Sequence, residues 1–325
     1  MTLEDRCRRL VAGLGLGGEV RSVTPLSGGV ASDIAAIDFG DRYLCAKFAL
    51  PKLKVAEDWF APVHRNRAEY AWLAFAGAVA PGAAPRLFGR SEAENGFAME
   101  HVDGPDTYLW KDALLRGDPP KGEAGQVGDV LGRIHAASTA PGFDPAPFRN
   151  HDDFHALRIE PYLLFTAGRH PDRAERLTAL ADTLHAGGTA LVHGDVSPKN
   201  ILVRPAGPVL LDAECATMGD PAFDVAFCLN HLVLKAIHVP ARREALLQAT
   251  GGFWQAYARH VTWEAPKALE ARVCALLPAL MLARVDGKSP VEYLSDANRA
   301  VVRHTARSLL ADPPPALAAL PERLP

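Results

Sequence analysis

The side chains best suited to chemistry lie in the loop HGDVSPKN, residues 193–200, and shortly after it. Asp195 and Asn200 stand five positions apart in this loop, which joins two apolar runs, and Asp212 directly follows a third apolar run. One carboxylate can orient an attacking hydroxyl and accept its proton, while a second carboxylate and an amide oxygen can hold Mg²⁺ on nucleotide phosphates. The spacing therefore indicates phosphoryl transfer.

A second element, GDPAFD at residues 219–224, follows in order, and together the two resemble the aminoglycoside phosphotransferase and choline kinase-like family. The resemblance covers about residues 24–230 and implies a protein-kinase-like fold. It implies Asp195 as the catalytic base and Asn200 and Asp212 as magnesium ligands. It also implies that Asp224 ties the catalytic loop to the next helix.

The segment LSGGVASD, residues 26–33, contains the candidate phosphate-binding residues Ser27, Gly28 and Gly29. Paired glycines let backbone N–H groups approach phosphate oxygens without a Cβ in the way. Alone, the segment also fits an ordinary hairpin. A second glycine run, GLGLGG at 13–18, matches a dinucleotide-binding pattern in form only, because a predicted helix precedes it and a strand follows it. We therefore predict a helix end and a turn there.

Lys47 lies in the middle of an apolar run, YLCAKF at 43–48. A lysine is rarely buried without an anionic partner. Glu69 follows in a predicted helix, and by resemblance it pairs with Lys47 while Lys47 contacts the nucleotide phosphates. The alternative is a lysine on an edge strand that faces water.

The elements that must position these residues change type near residue 103. Five short β-like runs and a helical segment at 63–77 precede it. Apolar helical faces dominate afterwards, at 125–138, 153–165, 173–186, 221–237, 242–260, 269–284 and 296–310. The proline-rich segment 311–325 is typical of a loosely packed tail.

This pattern predicts an α+β fold with two lobes. We expect a small antiparallel β N-lobe with one helix, residues 1–102, that binds the nucleotide, and a larger, mostly helical C-lobe, residues 103–325, for catalysis and substrate binding. The connector FAMEHVDG at 97–104 joins them. By resemblance, Glu100 and Val102 are candidates to bind adenine through main-chain atoms.

Composition excludes several classes of function. Hydrophobic residues make up 48% of the 325-residue chain, which is enough for a sizeable core. Lys+Arg 35 against Asp+Glu 38 lacks the basic excess of a nucleic-acid-binding protein. Five scattered cysteines predict free thiols and no zinc site. We expect a cytoplasmic monomer or homodimer, without nucleic-acid or membrane partners.

The chain departs from eukaryotic protein kinases at both motifs. Those enzymes carry H-R-D and D-F-G, whereas the segments here are His193-Gly194-Asp195 and Asp212-Ala213-Glu214. A small-molecule hydroxyl substrate is therefore the predicted acceptor, with ATP and Mg²⁺ as cofactors. Glu214 fits either a further carboxylate near the metal or a solvated side chain.

The identity of the acceptor is the least determined feature. A catalytically silent nucleotide-binding regulator is one alternative, although such proteins usually lose the lysine, the base or a metal ligand. An aminoglycoside antibiotic kinase is another. From residue 231 onward, however, twelve Lys/Arg face eight Asp/Glu, the wrong sign for a polycation. The segment RVDGKSPVEYL, residues 284–294, either points Arg284 and Lys288 into the cleft or forms an exposed charged turn before a helix.

Overall fold

The N-terminal part is built on a five-stranded antiparallel sheet in the computed structural model, which describes residues 1–26, 32–52 and 62–325. The strands are β1 (Ser22–Pro25), β2 (Ser32–Asp38), β3 (Tyr43–Ala49), β4 (Leu87–Ser91) and β5 (Gly96–Glu100), in the order β1-β2-β3-β5-β4. Gly40, with a φ of 89°, turns the chain between β2 and β3, where Asp38 pairs with Tyr43. The predicted antiparallel N-lobe is confirmed.

Two helices cover opposite faces of this sheet, and β3 shows why. Leu44, Ala46 and Phe48 pack with α1 (Leu3–Gly13), whereas the alternate residues face α2 (Arg65–Val79). Because successive side chains of a strand point to opposite faces, Lys47 lies on the α2 side. This alternation directs the lysine toward the C-terminal part of the chain.

The glycine run at 13–18 ends α1 and turns into the sheet. The helix closes at Gly13, and Gly15, Gly17 and Gly18 adopt φ values of 61°, 63° and 85°. L-residues with a side chain rarely adopt such angles. The prediction of a helix end rather than a dinucleotide site is confirmed.

The chain after Glu100 is mostly helical. Its helices are α3 (Trp110–Arg116), α4 (Glu123–Ser138), α5 (His151–Phe154), a π-helix (His155–Leu164), α6 (Phe165–Arg169), α7 (Ala174–Ala186), α8 (Ala222–His238), α9 (Arg243–Ala258), α10 (Pro266–Asp286) and α11 (Asp296–Ala311). Short 3₁₀ helices lie at Ala146–Phe148, Pro171–Arg173, Pro198–Asn200, Pro240–Arg242, Leu317–Ala319 and Pro321–Arg323. The predicted α+β, kinase-like division into a sheet and a helical part is confirmed.

Short strands flank the sequence motifs at 193–200 and 219–224 within the helical part. They are β6 (Tyr108–Leu109), β7 (Ala190–Val192), β8 (Ile201–Arg204), β9 (Gly207–Leu210) and β10 (Thr217–Gly219). β8 pairs antiparallel with β6 and β9, and β7 pairs with β10. Beneath them α8 packs against α9 and α10 and is buried along almost its whole length. This helix, called the platform helix below, supports the loop at residues 193–200.

The prediction of a regular α-helix at 153–165 is wrong. The segment begins as α5 and continues as the π-helix, which contains Pro161. Proline has no N–H to donate, so it cannot bond the Leu157 carbonyl four residues earlier. Arg158 Nη1 donates to that carbonyl at 2.7 Å instead. The irregular winding thus goes together with an inward-facing arginine.

The prediction of a loosely packed C-terminal tail is also wrong. Leu317, Leu320 and Leu324 are all buried. Arg243 of α9 donates from Nη2 to the Leu324 carbonyl at 2.8 Å. Leucines at intervals of three and four residues place their side chains on the core, despite the many prolines of the segment.

No single helix among the described residues has the length and apolar character needed to cross a bilayer. One bent pair, Ala222–His238 with Pro240–Ala258, meets that test by length and composition, with a bend of 119°. All five cysteines fall within the described residues, are buried and are free thiols.

Candidate active site

Lys47 lies between two carboxylates from distant parts of the chain. Its Nζ donates to Glu69 Oε1 of α2 at 2.6 Å and contacts the Asp212 carboxylate beyond β9. Lys47 and Glu69 are only 3% and 2% exposed, so the lysine does not face water from an edge strand. The structure joins Lys47, Glu69 and Asp212 in one buried cluster.

The charges in this cluster do not balance, since one lysine faces two carboxylates. Burial alone would lower the pKa of Lys47, but Asp212 and Glu69 outweigh it and raise that pKa above its ordinary value. Burial raises the pKa of Glu69 to about 7, even beside Lys47. Lys47 is therefore charged at neutral pH, and the surplus of negative charge favours a bound cation.

Asp224 of α8 holds the loop that carries Asp195. The backbone N–H groups of His193 and Gly194 donate to its Oδ2 and Oδ1 at 2.6 and 2.8 Å. Gly194 has a φ of 80°, and a Cβ there would lie 2.8 Å from the Cβ of Cys215, so the position requires glycine. The carboxylate thus fixes the loop on the platform helix.

Two histidines support the same loop from within the core. His193 Nδ1 accepts the Asp195 N–H, and its Nε2 donates to the Leu211 carbonyl, both at 3.1 Å. Burial lowers the pKa of His193, in keeping with the neutral ring that this pattern requires. His135 of α4 lies 3.3 Å from Asp224 Oδ2. Both rings position backbone and carboxylate groups.

Asp195 is buried and bonded to two positive charges. Its Oδ2 lies 3.0 Å from Arg158 Nη2 and 3.2 Å from Lys199 Nζ. Burial would raise the pKa of Asp195, but Lys199 and Arg158 outweigh it and hold that pKa far below its ordinary range. Asp195 is therefore ionised at neutral pH and is suited to accept a hydrogen bond from a hydroxyl and orient it.

Sequence analysis misses Arg158 and Lys199. Lys199 stands four positions after Asp195 within the loop itself, and that spacing is the signal that points to it. Arg158 carries no comparable signal, because it reaches Asp195 from the separate π-helix, where it also donates to the Gly194 carbonyl.

Asn200 and Asp212 lie at the ends of adjacent strands. Asn200 Nδ2 donates to the Asp195 carbonyl at 3.1 Å, and the Leu211 N–H donates to the Asn200 carbonyl at 2.8 Å. Asp212 has a φ of 68°, and its side chain is 30% exposed. An amide oxygen and an accessible carboxylate form a hard donor pair of the kind that Mg²⁺ prefers, so these residues fit that ion. The described residues contain no group of three or more His, Cys, Asp or Glu placed to hold a metal.

Glu214 is not solvated. It is 8% exposed, and its Oε2 lies 2.9 Å from Nε of Arg65, at the start of α2. Arg65 also donates to the Pro62 and Leu50 carbonyls, both at 2.9 Å. Glu214 therefore fastens α2 to the segment that carries Asp212.

The remaining candidate nucleotide-binding residues differ in what the structure offers. Ser27, Gly28 and Gly29 lie outside the described residues. The Glu100 N–H is already used by the Arg86 carbonyl at 2.7 Å, and its carboxylate lies 3.2 Å from Arg204. The half-buried Val102 has backbone groups without a hydrogen-bond partner in the described part of the chain. Val102 therefore offers both of its backbone groups to a base, whereas the N–H of Glu100 is already used.

Residues 22–265, three quarters of the chain, match the model of the phosphotransferase enzyme family (APH). The chain belongs to this family. The predicted resemblance to aminoglycoside phosphotransferases and choline kinases is thereby confirmed, and the chain is a small-molecule phosphotransferase. No curated protein matches the chain.

Solved structures with a similar fold include other kinases. The chain resembles amicoumacin kinase hAmiN bound to AMP-PNP, Ca²⁺ and Ami, with a TM-score of 0.60, 14% identity and coverage of 98% and 100% of the two chains. It also resembles a choline/ethanolamine kinase family protein from Mesorhizobium loti, with a TM-score of 0.52, 18% identity and coverage of 98% of each chain. A third similar structure is a gentamicin complex of APH(2")-IIa, with a TM-score of 0.52, 13% identity and coverage of 98% of each chain. At these identities the likeness shows that this phosphotransferase shares their fold.

Proposed function

We propose that this phosphotransferase moves the γ-phosphate of ATP, with Mg²⁺, to a hydroxyl of a small molecule. The observation that carries the proposal is the contact between Lys47 and Asp212, which unites the N-terminal sheet with the loop that ends β9. Lys47 supplies a positive charge for the nucleotide phosphates, and Glu69 keeps the ammonium in place. Val102 supplies backbone groups for the adenine.

Asn200 and Asp212 hold the magnesium ion in this proposal. Bound there, Mg²⁺ would neutralise negative charge on the β- and γ-phosphates. Asn200 is held by its bond to the Asp195 backbone, so the amide oxygen is left for the cation. The excess negative charge around Lys47 is a second reason for a cation at this place.

Asp195 orients the acceptor hydroxyl toward the phosphorus. As the new O–P bond forms and the bond to the β-phosphate oxygen breaks, the hydroxyl proton passes to Asp195 and ADP leaves. A strong base is not needed, because the transition state of phosphoryl transfer is loose and the proton moves late. This agrees with the depressed pKa of Asp195 beside Lys199 and Arg158.

The proposal is tested by ATP consumption with Mg²⁺ across a panel of hydroxyl compounds. The panel contains sugars, amino sugars, amino alcohols, hydroxy acids and aminoglycosides. Asp195→Ala should lower turnover of the active compound by about 100- to 10,000-fold, because general-base catalysis contributes that much. Binding of Mg·ATP to the variant, measured by calorimetry, should stay within a few-fold of wild type.

Asp182→Ala is the matched control. Asp182 is an exposed carboxylate on α7, away from the loop, and its removal should leave both measurements unchanged. Full turnover by Asp195→Ala would refute the role given to Asp195. Failure of the wild-type protein to bind Mg·ATP would refute the proposed function itself, and binding without turnover of any compound would favour a silent regulator.

A further inference from the structure

Lys235 on α8 is a buried lysine without a counter-ion from the protein. It is 1% exposed, and its ammonium makes no hydrogen bond or ion pair within residues 1–26, 32–52 and 62–325. Its contact is the face of the Tyr293 ring, whose centroid lies 4.8 Å from Nζ. Burial of an ammonium is unfavourable unless a negative group accompanies it. Lys235 therefore carries its charge in the folded protein only at an energetic cost, which a bound negative group would remove.

Arg284, near the end of α10, has a free hydrogen-bonding edge. Its Nη1 donates to the Tyr162 hydroxyl at 3.2 Å and to both oxygens of Ser289. Its Nε is buried without a partner, and its Nη2 donates to none of the described residues. The Nε–Nη2 edge of a guanidinium can bind a carboxylate or phosphate through two parallel hydrogen bonds. Arg284 thus has an edge of N–H donors that none of the described residues uses.

The charges around Lys235 are mainly positive. Burial, Arg284 and Lys111 lower the pKa of Lys235 to about 7. Glu292 acts in the opposite direction, but it is ion-paired with Lys111 of α3. His231, one turn earlier on α8, is buried, and burial, Lys235 and Arg284 lower its pKa well below the ordinary value. The region has an excess of positive charge that its own residues do not neutralise.

Tyr162 of the π-helix connects this region to Asp195. Its ring centroid lies 5.8 Å from Cζ of Arg284 and 6.0 Å from Cζ of Arg158, the arginine that binds Asp195. The Cζ atoms of the two arginines are therefore no further apart than the sum of these two distances. Phe227 continues the link, because its ring lies 5.5 Å from that of Tyr162 and 5.4 Å from that of His231. A single aromatic side chain, Tyr162, thus lies within 6.0 Å of both Arg284 and the arginine that binds Asp195.

We infer that the acceptor is an anionic hydroxyl compound, whose carboxylate or phosphate binds Lys235 and the free edge of Arg284 while its hydroxyl lies at Asp195. The inference rests on the proposed function and names the substrate class for the same site. The bound oxyanion supplies the negative partner that the protein leaves out. A polycationic aminoglycoside meets like charges instead.

The test compares acceptors that differ only in charge. Hydroxy acids are paired with their primary amides, and sugar phosphates with the free sugars, so the two arms distinguish carboxylate from phosphate. The charged member should be turned over with a kcat/KM about 10- to 100-fold higher, as expected for hydrogen bonds to a charged group. The difference should lie mainly in KM, because Lys235 and Arg284 bind the acceptor remotely from the phosphorus.

Lys235→Met and Arg284→Gln should each remove most of that preference and leave the KM for ATP unchanged. Lys235→Arg, which keeps the charge, should restore part of it. Lys288→Met is the matched control, because Lys288 stands four positions after Arg284 but is exposed and paired with Glu160 at 2.9 Å. Equal turnover of acids and amides by the wild type, or an unchanged preference in Lys235→Met, would overturn the inference.

A binding measurement separates this inference from the proposed function. With the nucleotide site saturated by Mg·ADP, sulfate should raise the Tm of the wild type and of Lys288→Met, and it should not raise that of Lys235→Met. The same sulfate effect in all three proteins would overturn the anion site even if the protein is a kinase. Absence of Mg·ADP binding with a Lys235-dependent sulfate effect would overturn the proposed function and leave the anion site standing.

Discussion

Lys47 and Lys235 are equally buried, yet the regions around them treat a positive charge in opposite ways. Lys47 has Glu69 and Asp212 against it, and its pKa is raised above the ordinary value. None of the described carboxylates pairs with Lys235, since the nearby Glu292 is paired with Lys111, and the pKa of Lys235 falls to about 7. The difference indicates a division of labour. In the proposed function, the phosphoryl-transfer centre carries its own counter-ions for Lys47, whereas the bound acceptor supplies the negative charge beside Lys235.

The largest expected effect is on the paired lysine. Lys47→Met leaves two carboxylates around an apolar side chain, and removing one partner of a buried ion pair costs about 3–5 kcal/mol of unfolding free energy. Urea denaturation followed by circular dichroism measures this loss. Lys267→Met, at an exposed position of α10, is the control and should change stability little. A Lys47 variant as stable as wild type would mean that the cluster does not act as an ion pair.

The unpaired lysine should behave in the opposite way. Lys235→Met removes a buried charge that has no partner, so the ligand-free variant should be at least as stable as wild type at pH 6. Because the pKa of Lys235 is lower in the folded than in the unfolded chain, its penalty is fully present below about pH 7 and declines as pH rises toward the ordinary lysine pKa. The stability difference between variant and wild type should therefore shrink over that range. A large loss of stability at pH 6 would contradict the absence of a partner.

The smallest expected effect is the pH dependence of acceptor use. An anion binds protonated Lys235, so kcat/KM for an anionic acceptor should fall above about pH 7, by about tenfold per pH unit at most. The titratable and charged groups facing Lys235 come from α3, α8, α10 and the segment after α10; they are Lys111, Cys228, His231, Arg284, Glu292 and Tyr293. The profile should flatten in Lys235→Arg, whose guanidinium stays charged. An identical profile in both proteins would assign the titration to another group.

The N-terminal sheet and the catalytic loop were predictable because their signals are local. An apolar run predicts β3, and the spacing between Asn200 and Asp212 reflects the lengths of β8 and β9. Lys47 was found because a lysine in an apolar strand needs a partner. The same reasoning applies to Lys235 in the apolar α8, where sequence analysis did not use it.

The remaining features depend on contacts between distant segments. Arg158 reaches Asp195 from a π-helix whose pattern predicts an ordinary amphipathic helix. The segment 284–294 combines both interpretations considered from its sequence. Arg284 is buried, Lys288 is exposed, and the next helix begins at Asp296. The different exposure of Arg284 and Lys288 follows from the packing of α10 on the π-helix, which no local sequence pattern encodes.

The ion pair between Arg65 and Glu214 has a thermodynamic consequence for the whole chain. Its partners stand 149 positions apart, one at the start of α2 and one just after Asp212, and both are buried. Unfolding of either part alone would break this ion pair and expose the surfaces that it joins to water. The pair therefore couples the unfolding of the sheet to that of the helical part.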